Sequence, residues 1–150
     1  MSRIDFDAPA PGRTITLLFS DVVGQEGEPS EDARRSHLRL VRQALGDAAP
    51  ARVRNLGDGV LTTLPSVLDG LQAAVRVHRA ANGLGVSVRV ALHVGAPIED
   101  EGDYLSAPVV AARRLCRAAT AGQILASDLV RIVLLLLMPG VSLWLVHLNA

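Results

Sequence analysis

The stretch Thr14–Val23, TITLLFSDVV, decides the fold. It is β-branched and aliphatic almost throughout and too short for a long helix, which predicts a buried strand. One charge stands inside it. An ionised Asp21 among apolar neighbours is strongly disfavoured unless it is paired or bound to a cation, so the strand that builds the core also poses the chemical question.

Outward from that strand, residues 24–29 hold two glycines and a proline and break the chain. Ser30 followed by Glu31 and Asp32 reads as an N-cap with a favourable first turn, and Leu38, Val41 and Leu45 continue as a helical stripe that stops at Gly46. Residues 52–56 and 59–64 read as two strands around the turn Gly57-Asp58-Gly59. Pro65 and Ser66 open a second helix, with Val67, Leu71, Ala74, Val75 and His78 at helical spacing and Gly83 as its stop. Residues 86–94, VSVRVALHV, alternate as a strand; residues 107–119 read as a third helix, residues 123–126 as a short strand, and Ser127 and Asp128 as the cap of a last helix.

This order gives an α+β fold, a ferredoxin-like βαββαβ core with an extra helix-strand extension, its helices expected to cover one face of the sheet. Residues 1–13 read as a flexible leader and residues 14–150 as a single domain. The tail, residues 132–148, is too short in its apolar run for the ~20 residues of a membrane helix and is split by Pro139-Gly140, so it reads as a helix end, a turn and a closing strand.

Composition narrows the partners. Of 150 residues, 15 are basic and 15 acidic, so the formal net charge is zero and the electrostatic footprint that nucleic acid or an anionic membrane demands is missing. All basic residues are arginine, a bias that limits what any single one can mean. Aromatic residues make up 3%, which leaves an aliphatic core and no base-stacking platform. A lone cysteine, Cys116, forms no internal disulfide and reads as a small buried filler. With no secretory pattern at the N-terminus, the expected compartment is the cytoplasm.

Two carboxylates carry the candidate chemistry. If the strand of Asp21 neighbours the hairpin of Asp58, the two meet at a strand end as hard oxygen ligands of the kind magnesium or manganese takes when it carries a substrate phosphate. Taken singly, Asp21 also reads as a cap for backbone amides and Asp58 as a turn former. His78 and His93 read as core histidines, since neither has a second His or Cys at ligand spacing. Arg113, Arg114 and Arg117 read equally well as the solvated face of their helix.

The successive motifs TITLLFSDVVG, LGDGVLTTL, VRVALHVGAPIEDEGDYLSAPVVAARRL and GQILAS resemble, in order and spacing, those of class III adenylate/guanylate cyclase catalytic domains of the actinobacterial kind. The resemblance runs from about Thr14 to Leu129. It implies conversion of ATP or GTP to the cyclic 3',5'-nucleotide and pyrophosphate with two magnesium or manganese ions. It places metal at Asp21, Val22 and Asp58, the purine at Arg54 and Asp103, and transition-state stabilisation at the catalytic Arg114. It further implies a homodimer or a partner cyclase domain, each site drawing its metal aspartates from one chain and the purine and transition-state residues from the other. Four departures stand out. Arg54 stands where the family uses lysine, Val110 where an asparagine orients the ribose, and Gly24-Gln25-Glu26 where Gly-Ser-Thr is commoner; Ser106 also replaces a glycine. Together they imply weakened or lost turnover, or a non-catalytic module that binds nucleotide or only dimerises.

Overall fold

The computed structural model describes residues 14–47, 51–96 and 107–137. The leader, Asp103 and the turn and closing strand expected beyond residue 137 lie outside the described residues. Among these, five strands form one sheet in the order β2-β3-β1-β4-β5. β1 is Ile15–Val22, β2 Arg52–Asn55, β3 Val60–Leu64, β4 Val88–Gly95 and β5 Ile124–Ala126; the helices are α1 Glu31–Leu45, α2 Val67–Gly83, α3 Ala107–Ala118 and α4 Asp128–Leu137. β1 is the central strand, antiparallel to β3 and β4, and β5 joins β4 in parallel.

Local chemistry sets the boundaries. Ser30 Oγ accepts the Ala33 amide and starts α1, and Ser66 Oγ accepts the Asp69 amide and starts α2. At the β2–β3 turn, Gly57 takes φ +86° and its amide donates to Asn55 Oδ1 at 2.9 Å, while the Leu56 amide donates to the Gly59 carbonyl. Gly59 is needed for a different reason. A Cβ there would stand 2.5 Å from the Phe19 ring and 2.8 Å from the Ser20 carbonyl, so only glycine lets this turn lie against β1. The turn that carries Asp58 is thereby seated beside the strand end that carries Asp21.

The expectation of helices on one face is corrected by β1, whose eight residues are all buried. Leu18 packs into a cluster with residues of α1, α2 and α4, including Val41, Val77 and Leu134. Ile15, Leu17 and Phe19 pack on the opposite face with Val109, Ala112 and Cys116 of α3. The physical reason is alternation: successive side chains of a strand point to opposite faces, so an unbroken apolar strand requires cover on both. Asp21 shares the odd-numbered face with Phe19 and therefore looks toward α3.

Candidate functional site

Asp21, Val22 and Asp58 line one cleft of about 260 Å³, together with residues of the β1–α1 loop, Arg34, Arg89 and Arg117. The strand and the hairpin do meet, because β1 pairs with β3 up to Ser20 opposite Val60, one residue short of Asp21.

Asp21 is not an isolated acid. It sits directly opposite Arg89 in the β1–β4 register. Arg89 Nε donates to Asp21 Oδ1 at 2.8 Å and Nη2 to Oδ2 at 2.5 Å, a bidentate charge-assisted pair. The side chains keep 12% and 26% of their exposure, so water screens the pair only partly. The hydrogen bonds to the Asp21 carboxylate hold the Arg89 guanidinium above its ordinary pKa, against the opposing pull of burial. Asp58 is more open. Its Oδ2 has Arg113 Nε and Arg117 Nη2 at 3.4 Å each, and its side chain is 38% exposed. Arg113 also lies over the Phe19 ring, 5.8 Å from its centroid, which draws α3 onto the sheet at this point.

The candidate residues divide. Asp21, Val22 and Asp58 converge. Arg54 lies on β2, opposite Leu61. Arg114 is exposed on α3 and does not line the cleft of its own chain. Val110 is half-buried on α3, and Asp103 lies outside the described residues. Arg113 and Arg117 reach Asp58 rather than forming a purely solvated face. His93 Nδ1 lies 2.9 Å from Ser127 Oγ, and His78 Nε2 2.8 Å from the Gly122 carbonyl, which makes both hydrogen-bonded fixtures of the fold.

Sequence reasoning missed Arg89 and His37. The signal for Arg89 was present: β1 and β4 each carry one charge among apolar residues, and the charges are opposite. The signal for His37 was the i, i+4 spacing that joins it to Val41 and Leu45 on the buried stripe of α1. His37 Nε2 lies 3.0 Å from Ser20 Oγ, and its Nδ1 is buried with no hydrogen-bond partner among the described residues.

Burial pushes the His37 imidazole below its ordinary 6.5, against smaller pulls from Ser20 and the Asp21 charge, and burial does the same to His93. Each takes its proton more readily unfolded than folded. Their contribution is therefore whole above the unfolded value and is lost as pH falls below 6.5 toward the folded values. Urea midpoints are expected to drop between pH 7.5 and 5.5, with the more deeply buried His37 contributing up to ~1.4 kcal/mol of unfolding free energy per pH unit and the more open His93 less. The His37→Gln variant is expected to show a visibly flatter dependence, and equal slopes in variant and parent would refute the assignment.

The cleft's donors suit a hard divalent cation. The Asp21 and Asp58 carboxylates and the Val22 carbonyl are hard oxygen donors, and Arg89 engages both oxygens of Asp21. No group of three or more His, Cys, Asp or Glu side chains able to hold an ion occurs among the described residues, so water and substrate would complete the coordination. No helix among the described residues is long and apolar enough to cross a membrane.

No protein-family model matches the chain. Over 133 aligned residues, 82% of this chain, it is 32% identical to a pH-sensitive adenylate cyclase of Mycobacterium tuberculosis, of which it spans about a third (33%). Its fold is similar to that of an adenylate/guanylate cyclase/hydrolase from Silicibacter pomeroyi, with TM-score 0.67, 23% identity and coverage of 81% of this chain and 80% of that one. An adenylate cyclase from Trypanosoma brucei, described in its monomeric state, gives TM-score 0.67 at 19% identity, covering 84% and 78%.

Proposed function

From a chain that has the fold of class III adenylate/guanylate cyclase domains and resembles one of them in sequence, we propose that it binds a purine nucleoside triphosphate with magnesium or manganese and cyclises it, slowly, to the 3',5'-monophosphate and pyrophosphate. The observation that carries this reading is the meeting of Asp21, Val22 and Asp58 in one cleft. Arginines already offset the charge of both carboxylates, so what supports a cation here is the convergence of hard oxygen donors at one strand end, the donor type that magnesium and manganese take together with phosphate oxygens.

In this reaction the ribose 3'-oxygen attacks the α-phosphorus, the 3'-hydroxyl proton is lost, and the bond from the α-phosphorus to the bridging oxygen of pyrophosphate breaks. A bound divalent cation supplies a lowered hydroxyl pKa and neutralises phosphate charge. The protein's part is positioning and fixed charge. Asp21, Asp58 and the Val22 carbonyl hold the cation; Arg54 and Asp103 contact the purine. Arg114 faces the transition-state charge from a second copy of the chain or a partner cyclase domain, which accords with its exposure away from its own cleft. Val110 offers the ribose neither donor nor acceptor, and a lost positioning contact can slow a reaction ~100-fold. A cytoplasmic setting accords with an intracellular triphosphate substrate.

A second reading, nucleotide binding without turnover, is favoured by that same apolar Val110. One experiment separates the two: incubate the chain with Mn-ATP or Mn-GTP and follow cyclic product and pyrophosphate. Product that falls at least ~100-fold in Asp58→Ala supports the cyclase, on the scale of losing one electrostatic stabiliser. Asp58 is the better site to vary, since its loosely held, exposed pairs contribute little to stability. Tight nucleotide binding with no product supports the second reading, and product that persists in Asp58→Ala overturns the first.

A further inference from the structure

The cleft that would take a cation is already neutral. Among the described residues its lining carboxylates, Asp21, Glu28 and Asp58, face as many guanidiniums, those of Arg34, Arg89 and Arg117. A free divalent ion entering it meets no net attractive field and must compete with the arginines for the same oxygens.

The two aspartates are unequally held. Asp58 has only 3.4 Å contacts to α3 arginines, of which Arg117 is 67% exposed, and such pairs exchange readily with water. Asp21 is gripped at both oxygens. Its partner is in turn fixed from behind: Arg89 Nη1 donates to the Arg117 carbonyl at 3.4 Å, and the β1–β4 register sets the two residues face to face. Directly opposed residues in an antiparallel pair stand close enough that a bidentate grip costs little rotamer freedom.

We propose that Arg89 is a positioning residue that closes Asp21 to a free divalent cation, so that metal and nucleotide load together. This rests on the reading of Asp21 and Asp58 as cation ligands. The reason is charge exchange. A triphosphate brings anionic oxygens into a cleft lined by three guanidiniums, and an arginine can turn its donors from the Asp21 carboxylate to a phosphate, which it also matches bidentately. The carboxylate released in this way takes the cation that arrives with the phosphates. A lone cation offers Arg89 no such replacement, and displacing it would leave a part-buried guanidinium unpaired.

Manganese uptake by the full chain, read from the electron paramagnetic resonance signal of the free ion after subtracting what the analogue takes up in a protein-free blank, tests this. The wild type is expected to bind manganese at least ~10-fold more tightly with an α,β-methylene ATP analogue than without it, a coupling within the usual range for linked sites. The Arg89→Gln variant is expected to bind manganese without the analogue ~10-fold more tightly than the wild type, and Arg89→Lys to fall back toward the wild type by restoring one charge contact. A merely structural role for Arg89 predicts the reverse, since a loosened cleft loses metal. Unchanged or weaker nucleotide-free binding in a folded Arg89→Gln overturns the proposal. If that variant does not fold, the two wild-type titrations decide: equal manganese affinity with and without the analogue overturns the gate and leaves the ligand reading standing. Absence of manganese uptake under every condition rejects both.

Discussion

Asp58→Ala and Arg114→Ala chains, each inactive alone, are expected to regain about a quarter of the wild-type cyclisation rate when co-expressed in equal amounts and purified together. The geometry behind this is simple. Asp58 lines the cleft, whereas Arg114 stands exposed on α3 outside it. If each site takes its carboxylates from one chain and its transition-state arginine from another, a two-fold dimer contains two composite sites. A mixed dimer then has one site with both defects and one with neither. Random pairing makes half of the dimers mixed, each with one working site of two, which gives about one quarter of full activity. Differently tagged chains make the measurement direct: in the doubly tagged fraction every dimer is mixed, and a cyclic-nucleotide assay there is expected to show about half of full activity. No recovery in that fraction would place Arg114 in the same site as its own Asp58, or outside the chemistry altogether.

The second large effect is a gain. Val110→Asn is expected to raise kcat on the order of 100-fold, the scale of one restored positioning contact. Val110 is half-buried on the flank of α3, while the sheet-facing side of that helix is built from Val109, Ala112 and Cys116. An amide at position 110 therefore leaves the core packing in place. If it orients the ribose, kcat rises while the metal and nucleotide affinities, set by other residues, stay near the parent's. An unchanged kcat would move the cause of slow turnover to Arg54, whose planar fork addresses a purine edge differently from an ammonium group.

Much of the architecture was legible because its punctuation is chemical. Ser30 and Ser66 cap where they were expected to, and the Gly57-Asp58-Gly59 turn closes the hairpin. The side of the sheet that α3 covers was not legible from α3 itself, since an amphipathic stripe says that a helix has a buried face and not which surface it meets. The deciding observation lay in β1, where eight consecutive buried residues demand a layer on each side. At the site, Asp21 was conspicuous as a charge in an apolar strand. Its partner was missed because pairing across strands depends on register, and a register shift of one residue would have turned Arg89 to the other face. Arg113 and Arg117 were hidden differently: in a chain whose basic residues are all arginine, helix position alone does not separate a solvated guanidinium from one that leans onto Asp58.

Cys116 gives the molecule a reporter of its own motion. Its thiol is buried in the α3 layer, lies 3.6 Å from the Arg89 carbonyl, and is pushed up to about 12 by burial and the nearby Asp21 charge, so almost none of it is thiolate at neutral pH. As the single cysteine in the chain, it stays silent toward alkylating reagents while α3 is docked and answers only when that helix lifts. The labelling rate of one sulfur atom is thus a clock on the helix that brings counter-charge to Asp58.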